Sequence, residues 1–139
     1  MSDILSTAVR KAINEGHLAH MVTVNPDGSP QVSCVWLGMD GDDVVSGHLF
    51  EQQKIRNLRR DPRIAISMEP GGSMNGLPLH FVLHGYASVH EGGCPELLQR
   101  LAVQYLGPGV KWPPMDDPPP GFVVRTTVER VAGYGQWAD

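Results

Sequence analysis

The chain has 139 residues and a net charge of −4, with 11 Lys and Arg against 15 Asp and Glu. This length predicts one domain over residues 1–139, and the acidic balance argues against a general nucleic-acid binder. No apolar run approaches the ~20 residues that span a bilayer, and the first residues lack the features of a signal peptide, so we expect no membrane partner and a cytoplasmic protein. In that compartment Cys34 and Cys94 are expected as free thiols.

The first half of the chain predicts a helix followed by strands. Residues 3–15 have apolar side chains at helical spacing, Ser2 or Asp3 as the N-cap and Gly16 as the terminator. Three strands are then expected, separated by a Pro-Asp-Gly-Ser turn and an Asp-Gly turn. Their predicted bounds are 18–25, 31–39 and 43–46. Tight turns between consecutive strands predict an antiparallel meander.

The second half alternates helices, strands and one long irregular segment. The predicted elements are a helix at 52–61, a strand at 64–68, a loop at 70–78, a strand at 80–90, a helix at 95–106, an irregular segment at 107–121, a strand at 122–131 and a tail from 133 to 139. Strands outnumber the short helices and do not alternate regularly with them. The order therefore favours a mainly β fold with short helices, a closed or split antiparallel β-barrel, over a parallel sheet.

The densest basic cluster lies in the helix predicted at 52–61. The run KIRNLRRDPR occupies residues 54–63, and Lys54 falls in the first turn of that helix. The free N–H groups of a helix N-terminus favour an anion, so a lysine at this place has a physical reason to meet a phosphate. The same cations could also form a solvated helix face, and the spacing alone does not separate these two interpretations.

Two motifs give this chain a family resemblance. The sequence DGSPQVS at residues 27–33 and the run KIRNLRRDPR at residues 54–63 resemble the pyridoxamine 5′-phosphate oxidase-like family of FMN- and deazaflavin-binding split barrels. Among its members the chain is most similar to the actinobacterial reductases that depend on the deazaflavin coenzyme F-420. The resemblance implies a homodimer with the cofactor at the subunit interface, and a dimer would also cover the open edge of a small barrel.

The resemblance also implies a set of cofactor-binding residues. Lys54 would bind the phosphate, with Gln53 and Asn57 nearby, and the strand before this helix would line the chain or ring of the cofactor. The first hairpin would contact the ring. The residues implied are Val32, Ser33, Val35, Trp36, Ser46, Gly47, His48, Gln53, Lys54 and Asn57.

One departure from the family pattern leaves the identity of the cofactor open. Many members have an additional Arg two residues before the Lys, where this chain has Gln52. The leading hypothesis is a deazaflavin-dependent reductase that transfers a hydride to an electron-poor small molecule. The alternatives are an FMN-binding oxidase or flavin reductase of the same fold and a non-catalytic protein that carries the cofactor. We assign no catalytic residue, because in such enzymes the cofactor carries out the redox chemistry.

The remaining histidine, cysteine and tryptophan side chains carry weaker signals. His80 and His84 share one strand face but have no third ligand nearby in sequence, so no metal site is predicted. Cys34 is expected to be a small buried apolar residue. Trp36, Trp112 and Trp137 are more typical of core or interface anchors than of cofactor platforms. Trp137, in the tail, is expected to cover a cofactor or to pack on a partner subunit.

Overall fold

The structure is a computed structural model in which residues 4–138 are described. Its first helix, α1, spans Thr7–Asn14 and begins later than predicted. Ser6 is the N-cap, and its Oγ accepts a hydrogen bond from the backbone N–H of Val9 at 3.2 Å. The predicted caps, Ser2 and Asp3, lie outside the described residues.

Within residues 4–138, nine strands and two further helices follow α1. The strands are β1 (Ala19–Val24), β2 (Pro30–Val35), β3 (Gly38–Asp40), β4 (Asp43–His48), β5 (Arg63–Met68), β6 (Ser73–Met74), β7 (Leu77–Pro78), β8 (His80–Glu91) and β9 (Phe122–Tyr134). The helices are α2 (Gln53–Arg60) and α3 (Cys94–Leu106). Residues 107–121 form no helix or strand, as predicted, whereas the segment predicted as a loop at 70–78 contains the β6–β7 hairpin.

Seven strands form one antiparallel sheet in the order β2-β1-β5-β8-β9-β4-β3. The predicted meander is wrong, because the second predicted strand breaks at Trp36 and Leu37 into β2 and β3, which lie at opposite ends of this order. Only these two residues connect the two strands, and a trans peptide step advances the chain by about 3.8 Å. The two ends of the sheet must therefore lie close together. The sheet curls into a split barrel, which confirms the predicted fold class.

The longest strand pair, β8 with β9, continues further than predicted. β9 extends to Tyr134, into the segment predicted as a tail. The register shifts between His84 and Gly85, and a Cβ on Gly85 would lie 2.0 Å from the carbonyl oxygen of Thr127. Glycine therefore permits the close approach of the two strands at this bulge.

The inside of the barrel is filled by apolar side chains that alternate along the strands. Met21, Phe81 and Leu83 are fully buried there, and Ile55 contributes to the same core from α2. Trp137 packs edge-on against Phe81 with a centroid separation of 4.9 Å. The tail tryptophan is partly buried and packs against the core, while its expected contact with a cofactor or a partner subunit stays a prediction. None of the described helices is long and apolar enough to span a membrane.

Candidate functional site

A pocket of about 330 Å³ lies where β2 and β4 end and α2 begins. The helix α3 and residue Trp112 close its other side. The lining residues are Leu18, Cys34, Val35, Trp36, Gly47, His48, Leu49, Phe50, Gln52, Lys54, Leu98 and Trp112. Five of the ten predicted site residues are among them, namely Val35, Trp36, Gly47, His48 and Lys54.

Lys54 places a cation in this pocket although its side chain is nearly buried. The residue is 6% exposed, and its Nζ donates a hydrogen bond to Ser33 Oγ at 3.2 Å. Burial lowers the pKa of Lys54 from its ordinary value, because the charged form loses solvation. Within residues 4–138 no carboxylate forms an ion pair with it. An anion that enters the pocket would supply the missing countercharge.

The start of α2 adds backbone donors beside this lysine. Gln52 is the N-cap in extended conformation, and its side chain makes no capping hydrogen bond. The first N–H groups of a helix have no acceptor within the helix, so the amides of Gln53 and Lys54 remain available. The predicted combination of a helix N-terminus with Lys54 in its first turn is therefore present in the structure.

His48 forms a second polar group of the pocket, paired with Ser46. Its Nε2 lies 2.8 Å from Ser46 Oγ, and both residues are buried. Burial, reinforced by the nearby charge of Lys54, lowers the pKa of His48 from 6.5 to about 3. The imidazole is therefore neutral at physiological pH, and Lys54 is the cation of this side of the pocket.

Aromatic rings form the opposite side of the pocket. Trp36 stacks on Tyr105 of α3, with centroids 5.0 Å apart and planes at 16°. Trp112 lies against the same indole at 5.4 Å, tilted by 46°. Both tryptophans line the pocket. Trp36 was among the predicted cofactor-binding residues, whereas Trp112 was expected only as a core or interface anchor, and each presents part of its surface to the pocket.

Five predicted residues do not line the pocket, although two of these support it. Ser33 accepts from Lys54 and Ser46 pairs with His48. Asn57 is fully buried and bonds to Thr23, Asn25 and Gln53, so its polar atoms are engaged elsewhere. The Gln53 amide is likewise held by Asn57 and Arg56. Val32 is 56% exposed on the outer face of β2.

Sequence analysis missed several residues that line the pocket. Cys34, expected to be buried, is exposed because it points to the outer face of β2, at the edge of the sheet. Gln52 was noticed only as a departure from the family pattern. No local motif indicated the others, which the fold brings together, namely Leu18, Leu49, Phe50 and Leu98.

A family model described as pyridoxamine 5′-phosphate oxidase matches residues 5–135. The chain belongs to this family. The pyridoxamine 5′-phosphate oxidase family takes its name from an oxidoreductase, which supports a redox function with a flavin-type cofactor at the level of the family. No curated protein matches the sequence.

Solved structures share the fold of this pyridoxamine 5′-phosphate oxidase family member at low sequence identity. A protein described as an F420 reductase is 22% identical, with a TM-score of 0.72 over 88% of this chain and 94% of its own. The conserved hypothetical protein Rv2991 from Mycobacterium tuberculosis is 24% identical, with a TM-score of 0.73 over 96% and 88%. HupZ from Group A Streptococcus is 20% identical, with a TM-score of 0.66 over 97% and 98%. These similarities show the fold.

Proposed function

We propose that this pocket binds a deazaflavin of the F-420 type through its phosphate, and that the protein is a reductase. The observation that carries the proposal is the nearly buried Lys54, which faces the pocket and forms no ion pair with a described carboxylate. A buried cation without a countercharge is costly, so the site favours an anionic ligand. The similarity to a protein described as an F420 reductase supports this choice of cofactor.

The residues present fit such a cofactor at both ends. Lys54 and the first amides of α2 would hold the phosphate, while Trp36 and Trp112 offer flat apolar surfaces to a conjugated ring. A reduced deazaflavin supplies a hydride when it is bound. The chain itself would bind and orient the cofactor and exclude water from the ring face with Leu49, Phe50 and the two indoles.

Few residues of the pocket bear on whether it binds a deazaflavin or FMN. Gln52 lines the pocket with a neutral amide where many members of the family have an arginine. The site therefore has one cationic side chain near the phosphate position instead of two. FMN in the same pocket, with oxidase or flavin reductase activity, is the alternative, and the same Lys54 would hold its phosphate.

We also propose that two copies of the chain form a homodimer across the outer face of the sheet. The register places Val32, Val22 and Ala65 in one row on this face, since paired residues of antiparallel strands point to the same side. This row is apolar, and Val32 in it is 56% exposed. Cys34 belongs both to this face and to the pocket, so a second copy would cover the pocket's open side.

Titration of the purified protein with F-420 and with FMN tests the proposed function. We expect F-420 to bind at micromolar concentration and more tightly than FMN, followed by turnover of electron-poor alkenes, imines or quinones. Tighter binding of FMN would replace the cofactor assignment. Binding without turnover of any substrate in the panel would favour the carrier function, and the absence of binding below millimolar concentration would refute the proposal.

The dimer has its own test. Size-exclusion chromatography with light scattering should give twice the mass of the 15.2 kDa chain. Val32→Arg should shift the protein to monomer and weaken cofactor binding, whereas Val103→Arg, at a 48% exposed position of α3 outside the sheet, should leave the mass unchanged. A monomeric wild type at tens of micromolar protein would contradict this proposal. The pocket would then be formed by a single subunit.

A further inference from the structure

Gln99 of α3 holds the segment that carries Trp112. Its side-chain amide donates from Nε2 to the carbonyl oxygen of Val110 at 2.7 Å. Its Oε1 accepts a hydrogen bond from the backbone N–H of Trp112 at 2.8 Å. One side chain thus makes two hydrogen bonds to backbone groups two residues apart, in a stretch that belongs to no helix or strand. These bonds replace the backbone pairing that regular secondary structure would provide.

Trp112 forms one wall of the pocket. Its indole lies 5.4 Å from that of Trp36, and both line the pocket. Trp36 is fixed independently, because it stacks on Tyr105, whose hydroxyl donates to the carbonyl oxygen of His17 and accepts from the N–H of Leu37. Trp112 lies outside every described strand and helix, and its backbone N–H is bound by Gln99 of α3.

We propose that Gln99 is a positioning residue that fixes Trp112 as a wall of the pocket and thereby sets the pocket's width for a planar conjugated ring. The primary amide suits this role, since it both donates and accepts and so binds the Val110 carbonyl and the Trp112 N–H together. A carboxylate keeps the second bond and loses the first, while an aliphatic side chain of the same length loses both. The identity of the ring rests on the proposed function, whereas the role of Gln99 in holding Trp112 does not.

The chain offers a matched control for the loss of this amide. Gln104 lies on the same helix and also makes two hydrogen bonds to backbone carbonyls, those of Ile13 and Leu37 at 2.9 Å each. These two hydrogen bonds go to α1 and to the link between β2 and β3, not to the segment that carries Trp112. Gln99→Leu and Gln104→Leu therefore remove the same amide and the same number of bonds from α3, and only the first should release Trp112.

The first measurement needs no cofactor. Acrylamide quenching and the ¹⁵N–¹H indole resonances are recorded for wild type and both variants, with the Trp112 signal assigned through Trp112→Phe. Gln99→Leu should raise the quenching of Trp112 and broaden or move its indole resonance, Gln99→Glu should have an intermediate effect, and Gln104→Leu should leave the signal unchanged. An unchanged Trp112 signal in Gln99→Leu would overturn the proposal, as would an equal change in Gln104→Leu.

The second measurement is a double-mutant cycle on the affinity for F-420 and FMN. Gln99→Leu should weaken binding roughly 3–10-fold, the range expected for the loss of one well-placed aromatic contact. In a Trp112→Leu background the same change should have no further effect, because Gln99 acts through Trp112. Equal effects in both backgrounds would overturn the proposal. If wild type binds neither cofactor, the proposed function fails, and the indole measurements alone decide the role of Gln99.

Discussion

The two sides of the pocket are built in different ways. The lysine side, formed by Ser33, Ser46, His48 and Lys54, is polar and comes from a short stretch of chain between β2 and α2. The tryptophan side, formed by Trp36, Leu98 and Trp112, is apolar and comes from residues far apart in sequence. One side suits an anion and the other suits a planar ring. Selectivity for a phosphorylated ring cofactor would therefore require both sides, held at a fixed separation.

This difference also explains which part of the site the sequence reveals. A motif such as the run at residues 54–63 is visible because its members are neighbours along the chain. Trp112 has no such motif, since long-range packing on Trp36 and the hydrogen bonds from Gln99 bring it to the pocket. Mutations on the two sides should therefore have different effects, and the following experiments measure these effects separately.

The largest effect is expected at Gly121, which packs between His48 of the lysine side and Cys94 of α3, the helix that carries Leu98 of the tryptophan side. This residue has φ +59°, and a Cβ there would lie 2.5 Å from the carbonyl oxygen of His48 and 2.8 Å from Cys94 Cβ. Gly121→Ala should lower the free energy of unfolding by about 2–4 kcal/mol, from overpacking plus left-handed strain. Urea unfolding measures this loss.

Gly109→Ala is the control for that experiment. Gly109 lies in the same irregular segment with φ +84°, and a Cβ there would have no neighbour within 4 Å. Its substitution carries the conformational strain alone and should cost about 1–2 kcal/mol. Equal losses for the two variants would show that Gly121 does not limit the approach of the two sides.

The fold of the chain was predicted better than its site. Turn residues and apolar spacing located most helices and strands, because those signals are local. The break at Trp36 and Leu37 was missed, since apolar strand residues continue through it and only the closure of the barrel requires the chain to change partners there. Asn57 was misplaced for the opposite reason. Its motif marks it, but its side chain bonds to Thr23 and Asn25 and does not line the pocket.

The next effect tests the lysine side through cofactor affinity. Lys54→Met keeps the length of the side chain and removes its charge, so phosphate binding should weaken by about 1.5–3 kcal/mol, the range for a charged hydrogen bond. Isothermal titration with F-420 and FMN gives the value. Arg56→Met removes one positive charge from the same helix at an exposed position and should leave the affinity within about twofold. A similar loss in both variants would indicate general electrostatics and would remove Lys54 from the site.

The protonation of His48 should make stability depend on pH. Its pKa is about 3 in the folded protein against an ordinary 6.5, so the unfolded chain binds a proton more readily between these values. The contribution of His48 is therefore complete above about pH 6.5 and is lost as the pH falls toward 3, with a slope of up to about 1.4 kcal/mol per pH unit.

Urea unfolding of the wild type and of His48→Gln at pH 7 and pH 5 measures this slope. The contribution of His48 to the slope should be absent in His48→Gln. His90→Gln is the control, because His90 pairs with Ser88 Oγ at 2.8 Å as His48 does with Ser46, but on an exposed part of β8. The slope should persist in His90→Gln. If His48→Gln keeps the wild-type slope, His48 is not held neutral by its burial.

The smallest effect concerns the cofactor preference of the lysine side. Gln52 lines the pocket at the start of α2 and is exposed, so Gln52→Arg adds a second cation near the proposed phosphate position without disturbing the core. An exposed cation contributes little, and we expect the affinity for FMN to rise by about 0.3–1 kcal/mol, measured at low ionic strength where screening is weak.

Gln53→Arg places the same charge one residue later, at a side chain that does not line the pocket, and should have a smaller effect. If Gln52→Arg leaves the affinity for both cofactors unchanged, the phosphate lies away from the start of α2. Lys54 would then have to hold it from the interior of the pocket, closer to the tryptophan side.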